Sequence, residues 1–312
     1  MLPEAFLTRL KEQLGDEFDD YLRSLDRPRA VALRFNPLKT DAFPALPFVQ
    51  EPVPWADYGY YYAPDARPGL HVWHEAGLYY LQEASAMAPV PLLAPQPGEL
   101  VLDLCAAPGG KTTQIAALMA GEGLLVCNEI NPKRAKILSR NIERMAVPNA
   151  LVLNHHPRDL ERHFTGCFDR VLVDAPCSGE GMFRKEEAAV TDWSEETVRM
   201  CAERQAQILA TAAKLLRPGG RLVYSTCPFA PAADEGAVTE FLNNQKWTEI
   251  QFRENEKIQC NFNITVNTYS DTDNSFTCSL LTNSSRPVYN STYATTSYAV
   301  KDDQSNSTFR EL

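Results

Sequence analysis

The chain has 312 residues, 44% of them hydrophobic and 22% charged, with 15 Gly and 22 Pro; it can bury a sizeable core and is not a collagen-like, low-complexity or globally disordered sequence. A formal net charge of -10 and a pI near 5.1 argue against a protein that coats polyanions, because affinity for nucleic acid needs clustered Lys and Arg. Any such contact must be a local patch. Eight cysteines stand without CxxC or Cys/His zinc spacing, so reduced thiols are expected rather than a disulfide scaffold or a metal site.

The start, MLPEAFLTRLKEQLGDEF, reads as an acidic amphipathic helix without the basic-then-apolar order of a signal peptide. No apolar stretch approaches the roughly 20 residues needed to cross a bilayer, so a cytoplasmic location with no membrane partner is expected. Residues 1–95 mix helix and short extended segments punctuated by proline, with AVALRFNPL (30–38) and GLYYLQEASAMAPVPLLAP (77–95) bracketing a loop-rich stretch. They are expected to form a small N-terminal α+β accessory domain. From Leu100 the pattern alternates. ELVLDLCA (99–106), GLLVCNEI (123–130), NALVLNH (149–155), FDRVLVDAP (168–176) and RLVYSTC (221–227) read as strands. Between them TTQIAALMA (112–120), PKRAKILSRNIERMA (132–146) and the run 194–216 read as helices, the last stopped by RPGG. Continuous apolar strands alternating with helices predict an α/β fold over 96–245, a Rossmann-like doubly wound, mostly parallel sheet covered on both faces.

In such a sheet ligands bind beyond the carboxyl ends of the strands, and the first strand-to-helix turn lets the backbone approach them. Here that turn is Cys105-Ala106-Ala107-Pro108-Gly109-Gly110-Lys111-Thr112. A P-loop would need Gly at the position of Cys105, and a dinucleotide fingerprint would need three spaced glycines, so neither phosphate site is complete. Glu129, about 20 residues on at the end of the next strand, stands where a carboxylate accepts ribose hydroxyls. A ribose without a pyrophosphate points to S-adenosylmethionine.

The fourth strand ends in Asp174-Ala175-Pro176-Cys177-Ser178-Gly179 and the fifth in Thr226-Cys227-Pro228. In the usual order these strands are neighbours, which brings two thiols to one crevice edge. A lone strand-end cysteine ordinarily packs as a small hydrophobe. Two at one site suit another chemistry, because a thiolate adds readily to unsaturated carbon such as C6 of a pyrimidine and makes C5 a carbon nucleophile. A neighbouring methyl sulfonium would then give C5-methylation.

DLCAAPGGKT (103–112), NEINPKR (128–134), LVDAPCSGEGMFRK (172–185) and YSTCPFAP (224–231) resemble the motifs of the RNA cytosine-5 methyltransferases, most closely their bacterial RsmF-type ribosomal RNA branch. RFNPLK (34–39) and GLYYLQEASAMA (77–88) resemble segments upstream of that family's catalytic domain, so the likeness covers about residues 1–245. It implies a class I S-adenosylmethionine-dependent methyltransferase fold and an RNA substrate, in particular ribosomal RNA or the ribosomal subunit, acted on by a monomer. It further implies that Cys105, Ala106, Ala107, Pro108, Gly109, Gly110 and Lys111 wrap the cofactor and that Glu129 holds its ribose. Asp174 would lie between cofactor and target base, Cys227 would attack C6, and Cys177 would assist release of the product. Asn154-His155-His156-Pro157 departs from the family where an adenine contact is usual, and Pro228 stands where Ser or Thr is usual. An alternative from another class is an RNA-binding protein that keeps this fold with weakened turnover.

Lys133, Lys136, Arg140 and Arg144 recur at helical spacing and are expected to form a solvated face. Arg184 and Lys185, next to the Cys177 loop, are the better candidates for RNA, whose target base must leave its stack. Residues 246–312 form a third, atypical β-prone segment of unknown role. They hold no Gly, a single Pro287, and N-x-[ST] sequons at Asn263, Asn283, Asn290 and Asn306. Ile258, Cys260, Phe262, Ile264 and Val266 alternate like a strand, as do Phe276, Cys278 and Leu280, and a Cys260–Cys278 bridge across a hairpin is conceivable only in an oxidising compartment.

Overall fold

The computed structural model describes residues 2–233, 235–245, 248–250, 264–270 and 275–282. Its elements begin with helices α1 (Glu4–Leu14) and α2 (Phe18–Leu25), strands β1 (Ala32–Phe35), β2 (Val49–Pro52) and β3 (Gly59–Tyr62), helix α3 (Val72–Glu75), strand β4 (Tyr79–Leu81) and helices α4 (Ala84–Met87) and α5 (Pro89–Leu93). There follow β5 (Leu100–Asp103), α6 (Gly110–Met119), β6 (Leu124–Asn128), α7 (Pro132–Arg144), β7 (Ala150–Leu153), α8 (Glu161–Phe164) and β8 (Phe168–Asp174). The chain ends through α9 (Glu187–Thr191), α10 (Glu195–Leu215), β9 (Leu216–Thr226), α11 (Glu235–Gln245), β10 (Thr248–Ile250), β11 (Ile264–Ser270) and β12 (Ser275–Thr282). Two units divide it, one of residues 28–174 with 211–222, the other of residues 1–27, 175–210 and 223 onward.

In the first unit the strand order is β9-β8-β5-β6-β7, with β5 parallel to β6 and β8, and β6 parallel to β7. Parallel strands joined through helices are covered on both faces, so both side-chain rows must be apolar. Val101, Leu102, Leu125, Val126, Cys127, Val171, Leu172 and Val173 are accordingly all fully buried. Five predicted strands are found, and the fourth and fifth are neighbours as expected. The last starts earlier than the sequence suggests, at Leu216 and not Arg221. Gly219 takes φ +73, and a Cβ at Gly220 would come within 2.8 Å of the Leu216 side chain.

The same unit holds an antiparallel sheet of order β2-β3-β1-β4. β1 is central, and its alternation separates two clusters. Leu33 and Phe35 pack with Leu46 and Tyr79, while Ala32 packs with Val53, Ala56, Ala84 and Met87. Arg34, on the Ala32 face by the two-residue period, is 1% exposed, and its guanidinium donates to Gln82 (3.0 Å), to the Gly110 carbonyl (3.1 Å) and to Thr113 Oγ1 (2.8 Å). Burial pushes its pKa down to about 9, which leaves it a cation at neutral pH.

In the second unit the predicted N-terminal helix is broken. Gly15 (φ +51) ends α1 and a short turn starts α2, since only glycine takes that conformation without strain. Phe6, Leu10 and Tyr21 from these helices pack with Trp193, Val198, Ala230 and Ala233. Glu180, 2% exposed, lies at the centre of a polar knot. Its Oε1 accepts from Trp193 Nε1 (2.8 Å) and pairs with Arg9 (2.8 Å), and its Oε2 accepts from the Phe229 N–H (2.8 Å). The Arg9 guanidinium also lies 5.6 Å from the Phe6 ring centre and 5.7 Å from that of Trp193. β10, β11 and β12 run antiparallel; the expected strand over 258–266 overlaps β11 only at 264–266, the expected strand over 276–280 lies within β12, and Cys278 is the register partner of Asn267. Cys260, Ile258, Phe262 and the four sequon asparagines lie outside the described residues. No described helix is long and apolar enough to cross a membrane.

Removing the Glu180 carboxylate strands a partly buried cation and two N–H donors at once. Glu180→Ala should therefore cost about 3–5 kcal/mol of stability, read as a lowered urea midpoint at unchanged slope.

Candidate active site

The turn after β5 is shaped by what happens to its carbonyls. Arg134 donates to the Ala107 carbonyl (2.6 Å), Asn141 to that of Pro108 (2.8 Å) and Arg34 to that of Gly110 (3.1 Å). The Ala107–Pro108 bond is cis, and Gly109 takes φ +111, where a Cβ would come within 3.1 Å of Leu138. A larger residue at 109 would meet both backbone strain and α7. With the carbonyls tied to other elements, the turn leads into the first turn of α6, whose N–H groups have no intrahelical acceptor. That arrangement suits a ligand carrying a carboxylate or other electron-rich group.

Around this turn stand three carboxylates. Asp103, 1% exposed, closes β5; its Oδ2 accepts from Thr112 Oγ1 at 2.6 Å and its Oδ1 is buried without a hydrogen-bond partner. Burial pushes its pKa up to about 7, with Asp174 and Glu129 adding to the rise against Thr112 and Lys111. Glu129, 2% exposed, follows β6; Oε1 accepts from the Asn131 N–H (2.8 Å) and Oε2 lies 3.5 Å from Arg134. Asp174 closes β8 and pairs with Lys111 Nζ at 2.6 Å. Burial first, then these same three acids, push the Cys105 thiol up, so Cys105 remains a protonated wall residue rather than a nucleophile. Asp103, unmarked in the sequence reading, is the acid that the strand-end geometry adds, and its place in DLCAAPGGKT was the available signal.

Asn154 is engaged in holding the end of β6, donating to the carbonyls of Glu129 (2.6 Å) and Ile130 (3.0 Å). His156 Nδ1 accepts from the Arg158 N–H and caps a short turn. Neither side chain is spare for a ligand on those atoms. The basic stripe of α7 is also shorter than its spacing suggests. Lys133, Lys136 and Arg140 are exposed, but Arg144 turns inward to donate to the His74 carbonyl (2.6 Å) and stack over Tyr80.

In the other unit the Cys177 and Cys227 sulfurs lie 2.7 Å apart, each half-buried. The Ala175 N–H donates to the Ser225 carbonyl (2.8 Å), which fixes the two approaching segments in register. Gly181 passes so close to Cys227 that a Cβ there would meet its carbonyl oxygen at 2.6 Å and its Cβ at 3.2 Å. Cys201 is buried beside them, its thiol pushed up by burial and by Cys177. Arg184 donates to the Arg27 carbonyl (2.6 Å), and Lys185 Nζ approaches the Met182 sulfur (3.6 Å). Glu180 and Gln205, which engage the residues flanking the thiols, were not found from the sequence. Glu180 lay within a quoted motif, whereas a buried glutamine on a helix has no distinguishing pattern.

Residues 90–281 match the family described as 16S rRNA methyltransferase RsmB/F, and residues 2–84 match the N-terminal domain of 16S rRNA methyltransferase RsmF. The first match runs beyond residue 245 and takes in the β11–β12 hairpin. Ribosomal RNA small subunit methyltransferase F of Vibrio vulnificus is 43% identical over 239 residues, covering 72% of this chain and 51% of that protein. Its counterpart in Escherichia coli is 40% identical over 242 residues, covering 72% and 50%. The chain thus spans about half the length of the curated relatives it matches. A methyltransferase homologue from Pyrococcus horikoshii has a TM-score of 0.64 at 27% identity, covering 83% of this chain and 89% of that one. NSun6 from Pyrococcus horikoshii with SFG has a TM-score of 0.69 at 19% identity, covering 89% and 97%. The fold is that of the class I methyltransferases.

Asp103 gives a pH signature. Its ordinary value is 3.8 and its folded value about 7, so between these the unfolded chain releases the proton while the folded chain keeps it. The contribution of this group to stability therefore falls as pH rises through that window. Denaturant titrations from pH 4 to 7.5 should show Asp103→Asn gaining on the parent protein as pH increases; parallel curves would mean that Asp103 ionises normally.

Proposed function

The chain belongs to the RsmB/F family of 16S rRNA methyltransferases, and from that premise we propose that it methylates C5 of a cytosine in ribosomal RNA, with S-adenosylmethionine as donor, through a covalent bond between Cys227 and C6. The observation that carries this reading is the pair of thiols 2.7 Å apart at the ends of two segments that leave β8 and β9. Packing needs no such pairing, while a covalent cycle needs one sulfur to attack and a second group to help undo the attack.

The cofactor's residues fit a cationic nucleoside. A turn whose carbonyls are tied elsewhere, a helix start, a buried carboxylate oxygen without a partner on Asp103, and a fixed acid in Glu129 together suit a ligand with an ammonium, a sulfonium and a ribose. When bound, S-adenosylmethionine supplies an electrophilic methyl group. Glu129 is assigned to the ribose hydroxyls, residues 105–111 to the methionine part, and Asp174 to the border with the target base, its carboxylate oriented by Lys111.

The Cys227 thiolate adds to C6, so that the C5–C6 electrons make C5 the nucleophile that takes the methyl group. Loss of the C5 proton then lets the C6–S bond break, and Cys177, standing 2.7 Å from the departing sulfur, assists that step. Arg184 and Lys185 would hold the flipped nucleotide's backbone, as charged groups beside a base-flipping site do.

Two measurements test this. Glu129→Ala should weaken S-adenosylmethionine binding in calorimetry by about 1–3 kcal/mol through unpaired ribose hydroxyls; unchanged affinity removes the ribose assignment. With small-subunit ribosomal RNA and cofactor, Cys227→Ala should give neither methylation nor a covalent complex, while Cys177→Ala should methylate and accumulate a denaturant-resistant protein–RNA complex. The reverse pattern would exchange the roles, and methylation intact in both would return the thiols to packing.

A further inference from the structure

Gln205 lies on α10, fully buried. Its Nε2 donates to the Pro176 carbonyl at 3.0 Å and reaches Thr226 Oγ1 at 3.4 Å. Pro176 immediately precedes Cys177, and Thr226 immediately precedes Cys227. One amide thus spans the two residues that lead into the two thiols. On their far side Glu180, three residues after Cys177, accepts from the N–H of Phe229, two residues after Cys227. Each thiol-bearing segment is therefore pinned to the other both before and after its sulfur.

Stability accounts for the donor half of the amide but not for its acceptor half. Gln205 Oε1 is buried without a hydrogen-bond partner, as is Ser178 Oγ next to Cys177, and an unsatisfied buried oxygen is a net cost that an apolar side chain of similar size would not incur. The half of the amide that is used is the donor half, and it is used on both thiol segments. We propose that Gln205 is a positioning residue for the thiol pair, holding Cys177 and Cys227 within reach of each other so that one sulfur can undo what the other has done. The catalytic consequence rests on the methyl-transfer reading above; the positioning itself does not.

The test separates the two. Diamide oxidises two adjacent thiols to a disulfide, its N=N bond taking up both protons and both electrons, at a rate set by how often the sulfurs meet. In the 312-residue chain without RNA, mass spectrometry of the crosslinked peptides would follow the Cys177–Cys227 bond. Gln205→Met, which leaves the Pro176 carbonyl without this donor, is expected to fold with a somewhat lower melting temperature and to form this bond about tenfold more slowly, in keeping with what lost orientation does to an intramolecular reaction. Thr226→Val, which removes only the longer contact, is expected to fall between the two and keeps the test available should Gln205→Met not fold. With small-subunit ribosomal RNA and S-adenosylmethionine, Gln205→Met should lower kcat at unchanged KM for the cofactor and lengthen the life of the covalent complex. Equal diamide rates in parent and variants overturn the proposal. Slowed disulfide formation in a protein whose parent form makes no covalent complex with the RNA would uphold the positioning and overturn the covalent methyl-transfer reading instead.

Discussion

A tight turn at the mouth of a parallel sheet can present its N–H groups to a ligand only if its carbonyls are taken care of elsewhere, because an unpaired buried carbonyl is costly. Here the carbonyls of Ala107, Pro108 and Gly110 accept from Arg134, Asn141 and Arg34, three side chains on two different elements. The demand reaches far along the chain. It explains why a fully buried arginine sits on β1 with no carboxylate opposite it, and why α7 turns Arg134 and Asn141 toward the turn while Arg144 braces the antiparallel sheet. Breaking any one of these contacts would leave a carbonyl of the turn without its donor.

The three acids around that turn show the same economy in electrostatic form. Asp174 and Glu129 both raise the cost of ionising the buried Asp103 carboxyl. Lys111 pairs with Asp174 and Arg134 stands near Glu129, while Asp103, the most buried, keeps one oxygen unpaired and a pKa of about 7. A cluster of this kind is poorly suited to an anionic ligand at its centre and well suited to a cationic one.

The thiol segments are governed by a different constraint, that of geometry held from outside. Gly181 has no room for a side chain against Cys227, Glu180 ties both segments to α1 and Trp193, and Gln205 sits across their entries. Orphaned oxygens on Ser178 and Gln205 are the kind of local cost that persists where a site's arrangement is worth more than the stability lost.

Strand and helix periodicity in the sequence determined the doubly wound sheet, because fully buried parallel strands such as VLDL and VLVD must be apolar throughout and the helices between them must be amphipathic. Motif residues made the glycine turn after β5 and the thiols after β8 and β9 legible, since a turn glycine or a strand-end thiol is local information. The break of α1 at Gly15, the early start of β9 and the inward turn of Arg144 were not legible, because each depends on a neighbour distant in the chain. Nor were Arg34, Glu180 and Gln205, polar residues whose meaning lies wholly in what they touch: a hydrogen bond from Gln205 to Pro176 and Thr226 spans 29 and 21 residues of sequence. Composition and period record whether a side chain is buried, but the identity of its partner is fixed only when the chain has closed around it.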